Sequence, residues 1–124
     1  MKMIIHYLIA WFMSHVPTGI GVGSKFDHPS RDKHNKGEMA CGNPSKPHHV
    51  GRKIRGLLDT GMIVARQHMP CGAVLRVCIA RTGKCAEAVR WESGPIHMAI
   101  DLYAPLSRKL EHNGMELVTW EIVR

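Results

Sequence analysis

Glu92 and Asp101 lie nine residues apart within Val89 to Tyr103, which reads Val-Arg-Trp-Glu-Ser-Gly-Pro-Ile-His-Met-Ala-Ile-Asp-Leu-Tyr. Alternation of small or apolar residues with polar ones marks a strand over Ala86 to Trp91. Ser93-Gly94-Pro95 breaks it, and an apolar run restarts at Ile100. One acid therefore sits at a strand end and the other at a strand restart. A carboxyl at a strand end beside an indole ring is partly desolvated, which raises its pKa and suits it to protonate a glycosidic or similar leaving oxygen. The competing reading is a pair of solvated loop acids with no chemical task.

A chain of 124 residues holds one domain and leaves no room for a second core. It is basic, with 17 Lys and Arg against 10 Asp and Glu, and has no long run of like charge. A spread excess of this kind favours anionic partners, whether wall polymer, nucleic acid or acidic lipid, without choosing among them.

The N-terminal residues have the layout of a secretory leader. Met1-Lys2 is a positive start and Met3 to Met13 is apolar apart from His6. Pro17-Thr18-Gly19 then breaks the run, and Gly21-Val22-Gly23 offers small residues for a cut after Gly23. The apolar core is shorter than the roughly 20 residues a spanning helix needs, so no membrane span is expected. The alternative is a buried N-terminal helix or strand. The leader reading assigns residues 1–23 to a signal peptide and 24–124 to the domain, with a loop-rich part over 26–60. The product is expected to be a monomer, secreted into the periplasm or the extracellular space.

Cys41, Cys71, Cys78 and Cys85 are an even number in a small exported chain, which favours two disulfides with three possible connectivities. Cys78 and Cys85 bracket Ile-Ala-Arg-Thr-Gly-Lys, a hairpin turn at Gly83, and face each other across adjacent strands. The favoured connectivity is Cys78–Cys85 with Cys41–Cys71. On the chain-entropy account these closures contribute about 2.5 and about 3.7 kcal/mol, a large share of a small domain's net stability.

Ser24 to Arg55 is rich in Lys, Arg, His, Asn, Gly and Pro and reads as loop, with at most one short strand near Met39-Ala40-Cys41. His28, His34, His48 and His49 fall there without a Cys or acid pair at metal-ligand spacing, so neither metal nor cofactor is expected. From Met62 the pattern changes to strands at Met62 to Ala65, Ala73 to Ile79, Cys85 to Trp91 and Met115 to Val123. Short strands with Gly and Pro turns between them argue for a barrel or sandwich. One helix is predicted over Pro105 to His112, with Pro in the first turn, Leu106 and Leu110 on one face, and Gly114 as the stop. Tyr103-Ala104 offers no capping side chain, so Asp101 or the backbone is expected to hold that end.

Several short motifs recur here in a familiar order. Met69-Pro70-Cys71-Gly72 precedes a Leu-Arg-Val strand, Trp91-Glu92-Ser93-Gly94-Pro95 ends a long strand, and Ala99-Ile100-Asp101-Leu102-Tyr103 opens a helix. From Glu38 to Arg124 this order resembles the double-psi β-barrel of the rare lipoprotein A, expansin and barwin-like proteins. There Leu-Pro-Phe-Gly, Asn-Asp-Arg-Gly-Pro and Ile-Ile-Asp-Leu-Ser occupy the corresponding places. Met39-Ala40-Cys41-Gly42 is similar to the Ala-Cys-Gly of the barwin and expansin branches. The resemblance implies an all-β, six-stranded double-psi β-barrel with one short helix near the C-terminus.

It also implies function at the cell wall. In the lytic transglycosylase branch an Asp stands where this chain has Glu92, and a histidine stands where it has Arg66, with His68 two residues later on the same strand face. Glu38 resembles the acid of an Asn-Gly-Glu segment. An Arg cannot act as a base at neutral pH, so one support of the transglycosylase reading is lost. Expansins instead pair the strand-end acid with the Asp of Asp-Leu-Ser and loosen wall polysaccharide without hydrolysing it; Glu92 and Asp101 remain for that. The expected site thus comprises Asp101, Glu92 and Glu38 as chemical groups and Trp91, Tyr103, Arg66 and His68 as substrate contacts. Trp91 is open to either a sugar-stacking or a core role, and Trp120 is expected in the core. The expected partner is cell-wall polysaccharide or peptidoglycan, and no specific nucleic acid. The alternative is a non-enzymatic secreted interaction or carbohydrate-binding barrel of barwin type.

Overall fold

The computed structural model describes residues 18–27, 38–94 and 98–123, and in it the alternating runs close into one barrel. Its strands are β1 (Thr18–Phe26), β2 (Ile63–Ala65), β3 (Val74–Ile79), β4 (Cys85–Glu92), β5 (Ile100–Tyr103) and β6 (Met115–Ile122). Two short helices, α1 (Arg52–Asp59) and α2 (Ala104–Lys109), complete it. Around the barrel the order is β1-β5-β2-β4-β3-β6. The β1–β5 and β2–β4 pairs are parallel and the other four antiparallel. This is the all-β, six-stranded barrel with a short helix near the C-terminus that the sequence predicts, with one helix more than expected.

The period-two pattern decides what fills the barrel. Val64, Leu75, Val77, Ile79, Ile100, Leu102 and Val118 are wholly buried and form one cluster, which Leu106 and Leu110 of α2 join at i, i+4 spacing. Each such side chain contributes about 1.5–3 kcal/mol of transfer free energy. A second cluster of Met39, Leu58, Ile63, Val89 and Trp91 lies where α1 and the 39–50 segment pack. β2 is therefore buried along its whole length.

β1 was hidden by an inverted pattern. At Gly19, Gly21 and Gly23 a Cβ would come within 3 Å of Trp120, Ala99 and Val118 respectively, so glycine lets β1 lie close against the core. The apolar residues between them, Ile20 and Val22, are the exposed ones. A cut after Gly23 would remove six of the nine residues of β1, which pair with β6 and begin the pairing with β5. The first described strand runs from Thr18, and the proposed leader core at Met3 to Met13 lies outside the described residues.

Four smaller expectations change. Arg52–Asp59, expected as loop in part, is helical because Ile54, Leu57 and Leu58 share a face against the second cluster. The strand expected near Met39 is a single bridge between Met39 and Gly42. The C-terminal helix ends at Lys109, ahead of His112, with Glu111 in the left-handed region at φ 53°. Its N-cap is Tyr103 with no side-chain bond, so Asp101 does not cap it.

Both disulfides form as expected, Cys41–Cys71 and Cys78–Cys85. The second joins directly opposed residues of the β3–β4 ladder. The first ties the 39–42 turn to the turn that precedes β3.

Candidate functional site

Parallel pairing of β1 with β5 sets Ser24 opposite Asp101 and Phe26 opposite Tyr103. Ile100 and Leu102 point into the barrel, so Asp101 and Tyr103, alternating with them, face outward and are half-buried. Ser24 Oγ donates to Asp101 Oδ1 at 2.8 Å. Burial pushes the Asp101 carboxyl above its ordinary value, and the Ser24 hydrogen bond and nearby His112 offset only part of that. Beside this polar pair the Phe26 and Tyr103 rings stack with centroids 5.2 Å apart. Burial likewise raises the Tyr103 phenol. A cavity of about 330 Å3 opens at Tyr103, lined also by Ser45, Leu58, Asp59, Thr60 and Ile63.

Glu92 stands on the other side of β2. Ala65 is in register with Asp101 on β5 and, across a bulge, with Glu92 on β4. The two acids are thus two strand spacings apart, about 10 Å between backbones. Glu92 Oε1 accepts from the backbone N–H of Ala40 at 3.0 Å and of Ser93 at 2.9 Å, which clasps the 39–42 turn to the end of β4. The chain then crosses the end of β2 at Gly94, where φ is +81° and a Cβ would sit 2.9 Å from the Ala65 carbonyl. Glycine alone satisfies both constraints. Gly94→Ala should therefore lower the melting temperature by several degrees or more, on a cost of about 1–3 kcal/mol. An unchanged thermal melt would contradict this close crossing.

The other expected site residues are distributed differently. Glu38 is exposed and lies two residues before the Ala40 amide that Glu92 holds. Trp91 is 5 % exposed and its indole N–H donates to the Gly42 carbonyl, so its ring is packing and not an open platform. Arg66 Nη1 donates to the Ala99 carbonyl at 2.6 Å and its guanidinium lies 4.6 Å from the Trp120 ring centroid, fixing the entry to β5. Trp120 is in the core, as expected. His68 is exposed in a turn at φ 57°; β2 has already ended at Ala65, so the strand face expected to carry it is not there. Pro95, His28 and His34 fall outside the described residues, and His48 and His49 are exposed.

Three participants were not anticipated. Ser24 was assigned to the start of a loop, so its pairing with Asp101 was invisible. His112 is buried: its Nε2 lies 3.0 Å from the Gly23 carbonyl, and its Nδ1 meets the Ser107 hydroxyl at 3.1 Å and accepts from the Gly114 amide at 3.2 Å. These contacts bind the α2–β6 connection to β1, one residue from Ser24. Arg90 is buried beside the Cys41–Cys71 bond. In a strand that mixes apolar and polar residues, nothing in the sequence marked it as buried.

Together these features define a closed, mixed six-stranded β-barrel, clasped by two disulfides, with a half-buried acid and an aromatic pair on one outer face. No protein-family model matches the sequence, and no curated protein is similar to it at a significant level. Among the described residues no helix is long and apolar enough to cross a membrane, and no group of three or more His, Cys, Asp or Glu is placed to hold a metal ion.

Proposed function

We propose that this is a secreted cell-wall protein of the rare lipoprotein A and expansin type, which binds polysaccharide such as peptidoglycan along β1 and β5 and cleaves it with Asp101 as proton donor. The observation that carries the reading is the pair of adjacent cross-strand contacts, Ser24 with Asp101 and Phe26 with Tyr103. A half-buried acid whose pKa is raised keeps its proton to higher pH than a free carboxyl does, which suits it to protonate a glycosidic oxygen. The neighbouring rings offer apolar area to a sugar face. Asp101 delivers its proton to the leaving oxygen as the glycosidic bond breaks. The nucleophile is a hydroxyl of the same sugar: its oxygen bonds the anomeric carbon, and its proton passes to the Asp101 carboxylate left by the first transfer, which restores the acid. The products are then an anhydro-sugar end and a free hydroxyl end. The mixed barrel, with two parallel pairs and a chain crossing over β2, supports the double-psi resemblance.

A second reading, a carbohydrate-binding barrel without catalysis, is favoured by the commitment of Glu92 and Arg66 to structural contacts. Incubation with purified sacculi separates the two. Cleavage predicts soluble anhydro-muropeptides; binding alone predicts retention without release. The excess of 17 basic over 10 acidic residues predicts retention that weakens as salt rises, because the screening length falls from about 10 Å at 0.1 M to about 3 Å at 1 M. Neither retention nor release would sink both readings.

Export carries its own prediction. The two disulfides suit an oxidising compartment. The mature chain isolated from a secreting host should begin at or before Thr18 and weigh four hydrogens less than its reduced form. A folded product beginning at Ser24 would contradict the place of β1 in the barrel.

A further inference from the structure

Arg90 is 8 % exposed, and among the described residues no carboxylate pairs with it. Its Nε donates to the Arg66 carbonyl at 3.0 Å. Its Nη1 donates to Cys71 Sγ at 3.1 Å and to Cys41 Sγ at 3.3 Å. A guanidinium carries a fixed positive charge, and burying it calls for a compensating anion. Disulfide sulfurs are weak, neutral acceptors and do not supply one. A thiolate at the same place would.

We propose that Cys41–Cys71 is a thiol–disulfide exchange site in which Arg90 is the counter-ion of the departing thiolate. The thiolate of a dithiol reductant attacks Cys71, the exposed member of the pair, and forms a mixed disulfide there. The Cys41–Cys71 bond breaks, and its electron pair leaves on Cys41 Sγ beside the guanidinium. The second thiol of the reductant, as thiolate, attacks the mixed disulfide and expels Cys71, which takes up a proton. Two electrons pass from the dithiol, which ends as its own disulfide. One of its two protons ends on Cys71 and the other goes to solvent, because Cys41 is held as the anion.

A cation beside a sulfur lowers the pKa of the thiol it becomes, and a leaving thiol of lower pKa departs faster. Among the described residues Cys78–Cys85 has no such partner: Cys85 Sγ meets the Gly83 carbonyl, and no described cation is hydrogen-bonded to either sulfur. Among the described residues, Glu38, Arg66, His68, Glu87 and Glu92 are other ionisable groups near Cys41, Cys71 and Arg90 in the chain, and none of them hydrogen-bonds either sulfur. Opening the bond frees the turn whose Ala40 amide holds Glu92. The exchange itself stands apart from any wall activity.

The full oxidised chain is equilibrated in graded ratios of reduced to oxidised dithiothreitol, alkylated, and read peptide by peptide by mass spectrometry. In Arg90→Gln, opening Cys41–Cys71 should require a ratio about tenfold higher, equal to about 30 mV for this two-electron couple, with Cys78–Cys85 unmoved. An unchanged ratio would overturn the proposal. If Arg90→Gln does not fold, the wild-type protein still decides. After partial reduction, alkylation of the Cys41 and Cys71 pair should titrate below the ordinary thiol value of about 8.5. Ordinary titration of both thiols overturns the assignment.

Discussion

Asp101→Asn should lower the release of soluble fragments from wall sacculi by about 100-fold or more, the range that a lost general acid spans. The barrel should stay folded, because the Asn carbonyl oxygen can still accept from Ser24 Oγ, which now bonds Asp101 at 2.8 Å. The stability effect has a definite sign. Burial raises the Asp101 pKa, so between its ordinary value and the raised one the folded state binds more protons than the unfolded state. The contribution of this carboxyl is fully present below the ordinary Asp value and is lost as pH climbs through the raised one. At neutral pH the Asn variant should therefore melt at or above the wild-type temperature, and the difference should shrink as pH falls into that acidic window. Activity lost while stability is held or gained is the mark of a group kept for function. A melting temperature that drops with activity would instead make Asp101 structural. Glu92→Gln keeps the acceptor oxygen for the Ala40 and Ser93 amides and should cost less activity.

Truncation of His112 should give the largest loss of stability. His112→Ala removes the donor to the Gly23 carbonyl and the acceptor of the Gly114 amide, and it strips the Ser107 hydroxyl of a partner in a buried setting. Leaving such groups unsatisfied costs about 3 kcal/mol in all. For a domain of this size that is a fall of about 10–15 °C in melting temperature. The site should suffer with it, since Gly23 precedes the Ser24 that bonds Asp101. A denaturant midpoint equal to the wild type would show that the imidazole does not bind β1 to the α2–β6 connection.

The legible parts of the sequence were those where period-two alternation and side-chain burial agree. β3 and β6 alternate around residues such as Leu75 and Val118 and match their expected bounds almost to the residue, as does β4, although Ala88 to Trp91 are buried in a row. The Cys78–Cys85 clasp followed from its hairpin. β1 reverses the rule, with glycines inward and Ile20 and Val22 outward, and it follows an apolar run that mimics the end of a leader. Because the pattern hid β1, Ser24 and Phe26 were not expected as partners of Asp101 and Tyr103, although both of those residues were expected at the site. α1 left a signal in Ile54, Leu57 and Leu58, but four basic or glycine residues among its eight masked it. Arg66, His68 and Trp91 were drawn to the site by motif register alone, and register cannot tell whether a strand ends at Ala65 or whether a ring is already packed.

The pH dependence of sacculus cleavage tests the role of Asp101 most directly. Initial rates of anhydro-muropeptide release, measured across pH for wild type and Asp101→Asn, should show a wild-type rate that falls as the Asp101 carboxyl loses its proton, with a midpoint above the ordinary Asp value of about 3.9. That falling limb should be missing from the residual activity of the Asn variant. A limb that persists in Asp101→Asn, or a wild type that releases nothing at any pH, would contradict Asp101 as the proton donor.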